Sequence, residues 1–121
     1  MDKLRQGKNV VVLIRRSPLG SLKASEGLRM AVGQSMAHRV TVLLVDTAVW
    51  LAGPLKPELV EGGGVGKHLG MLTRLKQRVW VEASSMERYG LEPSLLREGV
   101  SIVSGQEIDE ALLAADAVVV Y

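Results

Sequence analysis

Val10-Val11-Val12-Leu13-Ile14 is five apolar residues, four of them β-branched, with no polar alternation. A strand covered on both faces reads this way, and such strands belong to parallel sheets. Arg15-Arg16-Ser17-Pro18 halts the run. Val40-Thr41-Val42-Leu43-Leu44-Val45 repeats the pattern and ends at Asp46-Thr47. Val79-Trp80-Val81, Val100-Ser101-Ile102-Val103 and Ala117 to Val120 complete five expected strands.

Helical patterns fill the intervals. Leu28, Ala31, Val32, Ser35 and Met36 share a face within Ala24 to Ala37, with Ser25 or Ser21 available to cap its start. A short helical stretch runs through Ala48, Val49, Trp50 and Leu51. Leu69, Leu72 and Leu75 mark a second helix from near Val65 to before Arg78, with Gly70 weakening its interior. Ser84 to Tyr89 reads as a short helix closed by Gly90, and Glu107 to Ala115 as the last one. Gly53-Pro54, Pro57 and Gly62-Gly63-Gly64 make a long connection, and connections of that length are uncommon unless functional. Strands alternating with helices predict an α/β fold, a three-layer α/β/α sandwich on a five-stranded parallel sheet with right-handed crossovers.

The chain has 121 residues, enough for one domain spanning 1–121. Its composition is 47% hydrophobic and 3% aromatic with no Phe, so the core must be built from Val, Leu, Ala and Met. A formal charge of +2 gives no basis for direct nucleic-acid binding. The absence of cysteine excludes disulfides, thiolate metal sites and a sulfur carried on this chain's own thiol. The apolar run near the N-terminus is too short for a signal peptide or membrane span, so a cytoplasmic location and no membrane partner are expected.

Ligands of open parallel sheets collect outside the carboxyl ends of the strands. That directs attention to Arg15–Ser21, Asp46–Trp50, Glu82–Ser85 and Ser104–Gln106. Arg15-Arg16 could grip an anion there or neutralise Glu82 or Asp46. Ser17, Ser84 and Ser85 lack a G-x-S-x-G turn and fit helix capping better than nucleophilic catalysis. Gly62-Gly63-Gly64-Val65-Gly66-Lys67 evokes a phosphate-binding loop, but Glu61 stands at the required glycine and His68 replaces the magnesium-binding hydroxyl. His38 and His68 have no partners at metal-ligand spacing, and no metal or other cofactor is expected.

Several stretches together resemble the DsrE/DsrF-like sulfur-relay family, closest to its DsrF/TusC-type subunit. They are Ser17-Pro18-Leu19-Gly20 with Glu26-Gly27-Leu28, Asp46-Thr47-Ala48-Val49-Trp50, the segment from Trp80 to Pro93, and the closing Ala115 to Tyr121. The resemblance implies a DsrE-like fold and assembly into homo- or hetero-oligomers with cysteine-bearing DsrE-like subunits. It also implies a place in persulfide transfer, in one branch toward tRNA thiolation. Sulfur-bearing relatives use a cysteine just after the third strand, and the resemblance places Glu82 at that position. A carboxylate cannot form a persulfide. Its charge also opposes an incoming persulfide anion, by about 1 kcal/mol at 4 Å in water and about 4 at an effective dielectric of 20.

Two functions follow. In the first the chain is a non-catalytic structural or partner-binding subunit of a relay oligomer, with Trp50, Trp80, Met86 and Tyr89 at subunit contacts and the Gly62 to Gly66 loop ordering when a partner docks. In the second it is a free-standing α/β domain, possibly an enzyme, holding a small anion with Arg16, Ser17, Lys67 and Ser84. Glu82 would then be the base or hydrogen-bond acceptor.

Overall fold

A computed structural model describes residues 7–17, 19, 22–53 and 65–121. The strands are β1 (Asn9–Ile14), β2 (Arg39–Leu44), β3 (Arg78–Glu82), β4 (Val100–Val103) and β5 (Ala117–Val120). All neighbours pair in parallel, in the order β4-β3-β2-β1-β5. The helices are α1 (Lys23–Gln34), α2 (Val65–Arg74), α3 (Ala83–Tyr89) and α4 (Gly105–Ala114), with 3-10 turns at Asp46–Ala52 and Pro93–Leu95.

The two faces of the sheet carry different loads. Because side chains alternate along a strand, Val10, Val12 and Ile14 join Val40, Val42, Leu44, Val79 and Val81 on one face. Leu28 of α1, Leu69 and Leu72 of α2 and Met86 of α3 pack onto it. Val11 and Leu43 point the other way and meet Ile108, with Leu112 of α4 packed beside them. Topology explains this division. The chain steps through β1, β2, β3 and β4 in one direction, so right-handed crossovers put α1, α2 and α3 on one side. From β4 it returns across the whole sheet to β5, which places α4 on the other side.

One helix cannot roof five strands. Val118 and Val120 on the edge strand β5 are 44% and 48% exposed, and Leu113 of α4 is 88% exposed. The expected three layers are therefore present, but the second helical layer is thin.

Local chemistry sets the ends of the helices. Gly90 closes α3 at φ 70°, the left-handed conformation that glycine adopts without a Cβ penalty. The last helix begins earlier than apolar spacing predicts, because Ser104 and Glu107 form a reciprocal capping box that starts α4 at Gly105. At α1 the N-cap is Leu22, without a side-chain cap bond. Ser25 is instead buried, and its hydroxyl donates back to the Leu22 carbonyl at 3.1 Å. Ser21 and the Gly62-Gly63-Gly64 run lie outside the described residues.

No helix among the described residues is long and apolar enough to cross a membrane. None of their His, Asp and Glu side chains form a group able to hold a metal ion.

Candidate functional site

Exit directions locate the site. The chain leaves β3 toward α3 on the three-helix face and leaves β4 toward α4 on the opposite face. These adjacent strands therefore diverge at their carboxyl ends, and such a switch point opens a crevice. Glu82 ends β3 in register with Val103, the last residue of β4. It is half-buried, with extended backbone that turns the chain into α3.

From Glu82 a chain of hydrogen bonds runs along the strand ends. The hydroxyl of Ser85, which is fully buried, donates to Glu82 Oε1. Ser85 Oγ in turn accepts from the backbone N–H of Asp46 at 2.8 Å. Asp46 follows β2 with φ 53°, a left-handed conformation that Asp tolerates better than most residues because its short polar side chain bonds locally. The hydroxyl of Tyr89 donates to Asp46 Oδ1. Arg88 lies 3.9 Å from the same oxygen, and both side chains are more than half exposed, so the ion pair adds little. Its guanidinium also sits 5.8 Å over the Tyr89 ring.

The network joins the exits of β2 and β3 through both side chains and backbone. Each buried polar group in it has a partner, and no buried side-chain nitrogen or oxygen among the described residues is left without one. Chemically it is an acceptor held by a hydroxyl. Glu82 serves here as a hydrogen-bond acceptor for Ser85.

The other expected site residues scatter around this centre. Arg16 and Ser17 follow β1 at the same end of the sheet, and Ser17 Oγ accepts from the Leu19 N–H at 3.1 Å. Asp46 pairs with Arg88 rather than with the Arg15-Arg16 couple. Ser84 is exposed on α3. Lys67 is exposed in the first turn of α2, where it and Arg29 help hold the His68 imidazole below its ordinary value of 6.5, after partial burial as the main cause.

Of the four residues expected at subunit contacts, Trp50 and Tyr89 are half-buried against the three-helix core. Met86 is 4% exposed and fills this chain's own core. Trp80 packs on the one-helix face, with Arg78 stacked 5.3 Å over its ring. Sequence reasoning missed Ser85 as the link between two strand ends, and missed the partnership of Tyr89 with Asp46. A serine three residues beyond Glu82 on a helix was the available signal, since that spacing returns a side chain to the same face.

The comparisons with known proteins agree with this geometry. A crystal structure of the ychN protein from E. coli matches with a TM-score of 0.84 and 24% identity, over 94% of this chain and 99% of that one. A protein of unknown function from Methanobacterium thermoautotrophicum matches with a TM-score of 0.68 and 18% identity, over 91% of this chain and 96% of that one. Both likenesses speak to the fold. No curated protein matches the chain. Residues 8–121 match the DsrE/DsrF-like family, which covers all five strands and all four helices. The chain belongs to the DsrE/DsrF-like family.

Proposed function

We propose that this chain is a cysteine-free, non-catalytic subunit of a sulfur-relay oligomer, of the DsrF/TusC type, serving structure and partner binding. The observation that carries the reading is a family member without a single cysteine. Where sulfur-bearing relatives place a thiol, this chain places Glu82, and Ser85 occupies its carboxylate. The sulfur would then travel on a cysteine-bearing DsrE-like partner, along a route related to persulfide transfer and tRNA thiolation. The thin helical layer supports assembly, because Val118, Val120 and Leu113 leave apolar surface open on the one-helix face.

Size-exclusion chromatography with light scattering tests this on the purified chain and on Glu82→Gln. An oligomer, alone or with a cysteine-bearing homologue, is expected for both proteins, since Gln retains an oxygen acceptor for Ser85. A strictly monomeric chain that retains no such homologue would count against the reading. The rival enzyme reading rests on the Glu82 carboxylate, so an activity abolished by Glu82→Gln would favour it instead.

A further inference from the structure

At the amino ends of the strands, away from Glu82, a cavity of about 440 Å³ opens between the sheet and the last turns of α4. Volumes of this size suit small-molecule ligands. Three cations, Arg39, Lys76 and Arg78, line it, and among the described residues no carboxylate does. On the α4 side its remaining wall includes Val11, Thr41, Ala111 and Ala114.

Two of the cations are held in place by this chain. Arg39 Nε donates to Asn9 Oδ1 at 2.8 Å, which fixes the guanidinium beside the start of β1. Arg78 rests on the Trp80 ring. Lys76 adopts φ 60°, a left-handed conformation in the turn that ends α2, where its N–H donates to the Thr73 carbonyl and the Gln77 N–H to the Leu72 carbonyl. Glycine is the usual residue at such a turn, so a lysine there carries backbone strain that its side chain must justify.

Backbone amides at the strand starts are already satisfied. Asn9 N–H donates to Asp116 Oδ2, Arg39 N–H to the Lys8 carbonyl and Val40 N–H to Gln77 Oε1. With its oxygen already accepting from Val40, the Gln77 amide has its Nε2–H groups to offer the cavity. The polar side of the wall is therefore cationic and donor-rich, the complement of a multiply charged oxyanion. Arginine forks match phosphate oxygens in pairs, and rigid donors lose little entropy on binding.

We infer that this cavity binds a small phosphorylated organic molecule of about mononucleotide size. The phosphate lies among Arg39, Lys76, Arg78 and the Gln77 amide, and the organic body lies against Val11, Ala111 and Ala114 beneath α4. The α4 roof favours a compact ligand over a nucleic-acid strand, which would need a long open track.

The test titrates the full chain with adenosine monophosphate, inorganic phosphate and adenosine, followed by amide shifts in two-dimensional NMR. Adenosine monophosphate is expected to give saturable shifts at Thr41, Gln77 and Ala111. Phosphate should bind at least tenfold more weakly, and adenosine should not saturate. Arg78→Gln and Lys76→Gly should each weaken binding at least tenfold, while Arg15→Gln at the other end of the sheet leaves it unchanged. Lys76→Gly is the decisive variant, because glycine suits the turn and the protein stays folded. The inference is overturned if adenosine monophosphate gives no saturable shifts, if phosphate alone binds as tightly, or if both variants bind as the parent does. It is overturned equally if a short RNA shifts these amides where the mononucleotide does not.

Discussion

At the carboxyl end of the sheet, Glu82, Ser85, Asp46 and Tyr89 are each engaged by a neighbour in one connected hydrogen-bond chain. At the amino end, Arg39, Lys76 and Arg78 line a cavity that no carboxylate among the described residues lines. A connected donor–acceptor chain fixes strand exits relative to one another. A rim of like charge is the reverse, because an arriving anion improves its electrostatics. One sheet thus separates rigidity from recognition, and the family position that elsewhere carries sulfur falls, in our reading, on the rigid end.

The most disruptive way to break that contrast is Ser85→Ala. It leaves the Asp46 N–H without an acceptor and the Glu82 carboxylate without its donor, and the expected loss is about 1–3 kcal/mol by denaturant unfolding. Next comes Asp46→Ala, which removes the acceptor of Tyr89 and puts alanine at positive φ, for about 1–2 kcal/mol. At the amino end the sign should change: Lys76→Gly relieves a left-handed lysine and is expected to stabilise by about 0.5–1 kcal/mol. Arg78→Gln, on the surface, should move stability by no more than about 0.5 kcal/mol. If the amino-end variants destabilised as much as Ser85→Ala, the proposed division would be wrong.

The seam between α1 and α2 supplies a reference belonging to neither end. His68 titrates below 6.5 because partial burial, then Arg29 and Lys67, disfavour its charged form. The unfolded chain therefore takes up this proton first as pH falls. The His68 contribution is complete above 6.5 and is lost as pH drops from there through the lowered folded value. Thermal melts on either side of 6.5 should show that slope in the parent and a flatter one in His68→Gln.

How much of this was legible in the sequence differs along the chain. Val10–Ile14 and Val40–Leu44 declared themselves, because short runs rich in β-branched residues have few other uses in a chain with four prolines and many turn residues. The apolar run Val79-Trp80-Val81 put Glu82 at the carboxyl end of the third strand, and β3 ends there. Ser85 was hidden because residue type cannot distinguish a capping serine from one that ties two strands together. The capping box at Ser104 and Glu107 was visible as a spacing, but Gly105 between them weakens the helical signal. The unequal helical layers were invisible, since they follow from the order in which strands pair. The cationic cavity was equally so. Arg39 is far in sequence from Lys76 and Arg78, and meets them through the register that sets Thr41 opposite Arg78.

The most direct test of the proposed role is co-purification of the tagged chain from its native cell, with mass-spectrometric identification of what elutes with it. We predict a cysteine-bearing DsrE-like subunit in fixed stoichiometry, retained equally by Glu82→Gln. Elution alone as a monomer, or loss of that partner with the Gln variant, would contradict a cysteine-free relay subunit whose glutamate is structural.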